Sequence, residues 1–240
     1  METINKVVGF CKDLYGIDLS KKQIEQLKRY EELLIEWNVK INLTAILDHE
    51  GIWYKHFLDS MCVIPYLSQG RLLDIGTGAG FPGLVIKIVR PELDVVLMDA
   101  TAKKLAFIDA VIEELELDKV VTTTGRAEEL AHENLFRGKF DYVTTRAVSA
   151  FSTCLEISAG YSKVNGDLLL IRGPKGPEEA VLSSKVIVQL GLKEKVIQKA
   201  INPLTGMCSH VMVYNKKTET QDKYPRTYSV IDKEAKKIYK

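Results

Sequence analysis

Ten residues, Asp74-Ile75-Gly76-Thr77-Gly78-Ala79-Gly80-Phe81-Pro82-Gly83, limit the folds open to this chain more than any other stretch. Glycines so closely spaced let the main chain turn with φ above zero and leave no Cβ between the backbone and whatever packs on it. The segment follows the apolar run RLLDI and opens a helical pattern, with Pro82 suited to a first turn where its missing N–H costs nothing. The same succession recurs downstream. DVVLM, KVVTTT, FDYVTT and GDLLLI are separated by amphipathic stretches such as Leu105, Ile108, Ile112 and Leu115. These βα units imply an α/β fold, a mostly parallel sheet with helices on both faces and right-handed crossovers.

The flanks read differently. Ile24, Leu27, Tyr30, Leu34 and Trp37 recur at steps of three and four behind Ser20 and Gln23, a pair suited to a capping box. A second helical pattern follows a turn over residues 42–48 and runs through Ile52, Trp53, Phe57 and Ile64 to about Leu67. The expected organisation is an N-terminal helical cap over residues 1–68, an α/β core over 69–216 and a basic tail over 217–240. A helix is expected over 178–190, then strands over 192–201 and 209–214 that finish the sheet as an antiparallel pair. The tail, poor in aliphatic residues, is expected to be extended or only partly ordered.

Bulk properties exclude several classes. The 46% hydrophobic content supports a sizeable core. No stretch reaches the roughly 18 uninterrupted apolar residues of a membrane span, and the acids in METINKVVGFCKD do not suit a secretory signal. No membrane association and a cytoplasmic location are therefore expected. Cys11, Cys62, Cys154 and Cys208 form no C-x-x-C pair and read as small core residues, and the four histidines form no metal-spaced cluster, so no metal is expected. The formal charge of +1 divides unevenly, with 15 Lys/Arg against 8 Asp/Glu over residues 163–240 and a net of −6 before them. Such asymmetry permits a basic face for a polyanion, or simply a solvated surface.

Two cofactors compete for the glycine loop. A dinucleotide needs G-x-G-x-x-G straight after the strand, and Gly78, Gly80 and Gly83 satisfy the spacing but begin late. Gly76, Gly78 and Gly80, with Asp74 two positions earlier, better match the G-x-G-x-G loop of S-adenosylmethionine enzymes, which needs close backbone approach and a carboxylate near the methionine ammonium. Asp99, at the end of the second strand, can accept from both ribose hydroxyls. Gly125-Arg126-Ala127-Glu128 follows the third strand, where a methyltransferase contacts adenine, and Arg146 ends the fourth beside the methyl-donor position. Arg146 alone also reads as a surface ion pair. All four elements stand at carboxyl ends of successive strands, where open α/β sheets bind ligands.

The acceptor is narrowed by chemistry. Exocyclic amines usually meet an Asn/Asp-Pro-Pro-aromatic turn after the fourth strand, where this chain has Thr144-Thr145-Arg146-Ala147. Pyrimidine C5 needs a cysteine nucleophile, commonly after proline, and none of the four has that setting. Guanine N7 has a free lone pair at neutral pH, so positioning for in-line attack can suffice. Rival readings are a methyltransferase for a small molecule or protein, a nicotinamide-dependent oxidoreductase, and a non-catalytic RNA-binding scaffold.

Trp37-Asn38-x-x-x-Asn42-Leu43-Thr44, His56-x-x-Asp59-Ser60, DIGTGAGFPG, Asp99 with Lys103-Lys104, Gly125-Arg126-Ala127-Glu128 and Arg146-Ala147 together resemble the bacterial RsmG family, also called GidB, over roughly residues 20–175. The resemblance implies a Rossmann-like S-adenosylmethionine-dependent methyltransferase fold and methylation of guanine N7 in the decoding-region loop of 16S ribosomal RNA. The partner it implies is that RNA or a small-subunit precursor. It further implies that Gly76, Phe81, Ala127, Glu128 and Arg146 touch the cofactor, with Arg146 the catalytic candidate. His56, Asp59 and Ser60 share a helix face; a direct His56–Asp59 hydrogen bond that locks the cap, or contact with the RNA, would each satisfy them. Phe81 and Arg146 are also candidates to stack on a splayed base. Asn42 would bond a base or cap a turn. The ending TYSVIDKEAKKIYK departs from the basic, Pro-rich ending associated with the family.

Overall fold

The structure is a computed structural model and describes residues 1–146 and 149–239. Seven strands form one sheet: β1 (Arg71–Ile75), β2 (Asp94–Asp99), β3 (Val120–Thr124), β4 (Phe140–Arg146), β5 (Ser162–Arg172), β6 (Leu192–Ile201) and β7 (Cys208–Lys216). Their order is β3-β2-β1-β4-β5-β7-β6, with β1 to β5 parallel and β7 antiparallel to both its neighbours. The chain starts at β1, moves outward to β3 and returns on the other side at β4. The strand order thus reverses between β1 and β4, and a crevice opens at their carboxyl ends.

Side-chain alternation divides the core in two. Leu72, Val95, Leu97, Leu169 and Val213 join one cluster, whereas Leu73, Val96, Met98, Leu168 and Met212 join the other. With both faces covered, each strand reads as a near-continuous apolar run. Helices Lys21–Asn38, Gly83–Val89 and Ala102–Glu114 supply Leu27, Leu84 and Ile108 to the first cluster. Helices Phe151–Ala159 and Tyr228–Ile238 supply Leu155 and Ile231 to the second.

The capping box forms as the sequence predicts. Gln23 donates its backbone N–H to Ser20 Oγ at 3.3 Å, and Ser20 donates its own to Gln23 Oε1 at 2.9 Å. The Gln23 amide also donates to the carbonyls of Ile88 and Val89, so one side chain starts a cap helix and finishes a core helix. A further cap helix begins at His49–Gly51, widens into a π-helix over Ile52–Leu58 and closes as Asp59–Met61.

Two expectations need correction. The single helix over 178–190 is two, Gly176–Leu182 and Ser184–Gln189, because buried Ser183 breaks the run and its Oγ meets the Tyr239 hydroxyl at 2.8 Å. The tail is not extended: Tyr228–Ile238 is helical, with Ile231 and Ala235, four residues apart, buried. Docking requires only one narrow apolar stripe, and Lys236 and Lys237 in the last turn suit the helix dipole. Among the described residues no helix is long and apolar enough to cross a membrane, and no cluster of His, Cys, Asp or Glu could hold a metal.

Candidate functional site

The glycine loop is tied down before any ligand arrives. Gly76 and Thr77 both donate their N–H to the Met98 carbonyl, at 2.8 and 3.0 Å, which folds the loop over the end of β2. Gly76, Gly78 and Gly80 all have positive φ, at 69°, 60° and 97°. A Cβ on Gly78 would have open room, its nearest neighbour being the Gly76 oxygen at 3.9 Å, so glycine is required there by φ alone. On Gly80 a Cβ would lie 2.5 Å from Tyr30 Oη, and on Gly83 it would lie 2.7 Å from the Asp74 side chain. Gly80 and Gly83 therefore serve packing beneath the loop. A dinucleotide reading needs Gly80 open to a pyrophosphate, whereas close packing at Gly83 suits either loop.

Tyr30, which sequence reasoning treats only as a core position, is what crowds Gly80. Its buried hydroxyl donates to the Ala79 carbonyl, and its ring lies 5.4 Å from Phe57 and 5.5 Å from Phe81. Asp74, expected near a methionine ammonium, lies beneath the loop with its Oδ1 unpartnered. Fully buried, it does not line the cavity, and its Oδ2 accepts the Gly83 N–H at 2.8 Å. Burial pushes its carboxyl up to about 6.

A cavity of about 380 Å³ opens at the strand ends, walled by Gly76 after β1, Asp99 of β2, Ala127 and Glu128 after β3, and Arg146 of β4. Asp99 accepts the Gly78 N–H on one oxygen at 3.0 Å and the Thr101 N–H on the other at 2.8 Å. Each oxygen keeps a lone pair for a further donor. Glu128 holds Arg126 at 2.7 Å, and the Ala127 carbonyl accepts from the Tyr161 hydroxyl at 2.5 Å. Lys104 and Tyr228 complete the wall, and Tyr228 arrives from the C-terminal helix that the sequence leaves as tail.

Arg146 joins this cavity to the cap. Its guanidinium donates to Asp59 Oδ2 at 3.2 Å, to Ser60 Oγ and the Lys55 carbonyl at 3.4 Å, and to His56 Nδ1 at 3.4 Å. It also lies over the Phe81 ring at 5.2 Å, and His56 stacks on the same ring at 4.5 Å. The arginine thus brings together His56, Asp59, Ser60 and Phe81. The direct His56–Asp59 bond expected from sequence is replaced by two bonds to one arginine. Asp59 Oδ1 instead accepts from Ser209 Oγ at 2.9 Å. Asn42 is exposed and does not cap the turn; Asn38 Oδ1 does so, accepting the N–H groups of Leu43 and Thr44 at 2.8 and 3.0 Å. Ala147 lies outside the described residues.

The network fixes the protonation of His56. Burial first, then the Arg146 and Lys55 cations, lower it from 6.5 to about 4. A guanidinium only donates, so Nδ1 accepts; the proton sits on Nε2 and is donated to Thr44 Oγ1 at 2.9 Å. Because the unfolded chain takes up this proton near pH 6.5 and the folded chain only near 4, the stability contribution is full above pH 6.5 and is lost as pH falls toward 4. His56→Gln, which cannot titrate, is expected to be less stable than wild type at pH 7. That gap in urea unfolding free energy should narrow by about 2 kcal/mol at pH 5. A gap independent of pH would contradict the lowered value.

The chain matches the family model GidB, rRNA small subunit methyltransferase G, over residues 23–211. It is 43% identical over 217 residues to "Ribosomal RNA small subunit methyltransferase G" of Lactococcus lactis subsp. cremoris, covering 88% of this chain and 90% of that relative. Among solved structures it resembles a SAM-dependent methyltransferase from Aquifex aeolicus, with TM-score 0.53 and 18% identity over 70% of this chain and 94% of the other. It also resembles M. jannaschii TYW2 in complex with AdoMet, with TM-score 0.51 and 12% identity over 83% and 81%. At these identities the two structures speak to the fold, which is the Rossmann-like methyltransferase architecture expected from the βα units.

Proposed function

The chain belongs to the rRNA small subunit methyltransferase G (GidB) family, and from that premise we propose that it methylates guanine N7 in the decoding-region loop of 16S ribosomal RNA. It is an S-adenosylmethionine-dependent rRNA methyltransferase. The observation that carries the reading is the convergence of four strand ends on one cavity, which Gly76 and Gly125 line without a Cβ.

The residues present fit the cofactor. Gly76 gives close backbone approach, the free lone pairs of Asp99 suit ribose hydroxyls, and about 380 Å³ lies within the range of small-molecule sites. In this reading Gly76, Asp99, Ala127, Glu128 and Arg146 line the site, Phe81 holds the Arg146 guanidinium from beneath, and Gly80 and Asp74 shape the loop from inside. When bound, S-adenosylmethionine supplies an electrophilic sulfonium methyl. Arg146, fixed by Asp59, Ser60 and His56, sets the geometry between cofactor and cap. Both His56 ring nitrogens are engaged, by Arg146 and Thr44, so this imidazole is not poised to remove a proton. That favours an acceptor with a free lone pair, and N7 of guanine is one.

The RNA would be held through phosphate contacts by lysines and arginines, including Lys104 on the cavity wall. Retention on 16S rRNA is expected to fall by orders of magnitude between about 50 and 200 mM salt. Filter binding across that range tests it, and a flat response would remove the electrostatic part of the proposal. Mass mapping of 16S rRNA after incubation with methyl-labelled cofactor tests the acceptor: the label should stand on one guanine. Label in protein or metabolite fractions instead would favour the other methyltransferase readings.

A further inference from the structure

The family match ends at residue 211, yet the chain beyond it returns to the cavity. The strap before the last helix is clamped at several points. Arg226 donates to Glu156, a carboxylate only 3% exposed, at 2.6 and 2.9 Å, and to Glu234 at 2.8 Å. His132 donates to the Pro225 carbonyl at 2.7 Å, and Arg137 to the Tyr224 carbonyl at 2.9 Å. At the other end of the helix, the Tyr239 hydroxyl accepts the Ser152 N–H at 2.9 Å. So many anchors leave little freedom at Tyr228, the first residue of the helix.

Tyr228 is 38% exposed and lines the cavity. Its ring lies under the Arg126 guanidinium at 5.0 Å, and Arg126 is held in turn by Glu128. The aromatic surface therefore stands at the β3 end of the site, one strand beyond the carboxylate suited to the sugar. A planar aromatic ring beside a nucleoside's sugar-binding acid is suited to covering the base and excluding water from it.

We propose that Tyr228, delivered by the C-terminal helix, is a cofactor-binding residue whose ring packs against the adenine. This rests on the reading of the cavity as the S-adenosylmethionine site. Arg126 is a positioning residue, holding the phenol ring toward the cavity while Glu128 holds the guanidinium. The last helix is thereby part of the binding site rather than an appendage.

Titration calorimetry of the full chain with S-adenosylhomocysteine and with adenosine tests this. Tyr228→Ala is expected to weaken both by about tenfold, with an unchanged unfolding midpoint because the side chain is partly exposed. Tyr228→Phe, which keeps the ring, should bind within about twofold of wild type. Tyr228→Leu, which keeps apolar bulk without a ring face, should match Tyr228→Ala and serves if the latter fails to fold. Wild-type affinity in both the Ala and Leu variants would overturn the proposal, as would a loss in Tyr228→Phe equal to that in Tyr228→Ala. No binding by the wild-type chain would instead overturn the reading of the cavity beneath it.

Discussion

Arg146→Ala is expected to lower methyl transfer to 16S rRNA by about 100-fold or more, because this one guanidinium sets the cap against the cofactor cavity and small misplacements at a reacting centre cost rates of that order. Stability should fall too. Asp59 and Arg146 are 12% and 15% exposed, so removing the cation leaves a largely buried carboxylate unpaired, at a cost of about 3 kcal/mol. Arg146→Lys separates the two effects. An ammonium can still pair with Asp59, but it has no planar fork to reach His56 and the Lys55 carbonyl together. The lysine variant is expected to recover most of the stability and little of the transfer. Label incorporation and urea unfolding on both variants check this, and full activity in Arg146→Ala would remove the residue from its assigned role.

Gly80→Ala is expected to destabilise the protein by about 2–4 kcal/mol and to abolish cofactor binding. The new methyl would meet Tyr30 Oη at 2.5 Å and Leu84 Cβ at 2.9 Å, on a backbone whose φ of 97° an L side chain rarely adopts. Tyr30 has no room to retreat, being packed between Phe57, Phe81 and Phe107. Gly78→Ala is the contrast. It has open space and a φ of 60°, so only the left-handed penalty of about 1 kcal/mol applies. Thermal unfolding of the two variants side by side measures the difference. Equal losses would mean that the packing of Tyr30 under the loop carries no weight.

The fold was legible because its signals are local and repeated. RLLDI, DVVLM and GDLLLI are apolar on both faces, as strands covered on both sides must be, and Ser20 with Gln23 announces a helix start within four residues. The glycine loop was legible for the same reason. Contacts between distant segments were not. His56 and Asp59 stand three apart and read as partners for each other, but Arg146, 90 and 87 residues away, binds both. A π-helix over Ile52–Leu58 further shifts which side chains share a face, and nothing in the spacing marks it. Asp74 is expected at the ligand because acids in such loops usually serve it; here helix Gly83–Val89 approaches so closely that the Gly83 N–H bonds one oxygen of the carboxylate beneath the loop. The C-terminal helix carries Ile231, Ala235 and Ile238 at steps of four and three, inside a run whose basic composition masks them, and its docking depends on Glu156 and Ser152 far upstream.

Every role assigned to the strand ends depends on what enters the cavity they enclose. Titration calorimetry of the purified chain with S-adenosylhomocysteine and, separately, with NADH decides that directly. The expected result is saturable binding of one S-adenosylhomocysteine per chain and no heat from NADH, since Tyr30 stands against Gly80, where a pyrophosphate would need close backbone approach. Saturable binding of NADH, or none of S-adenosylhomocysteine, would contradict the account.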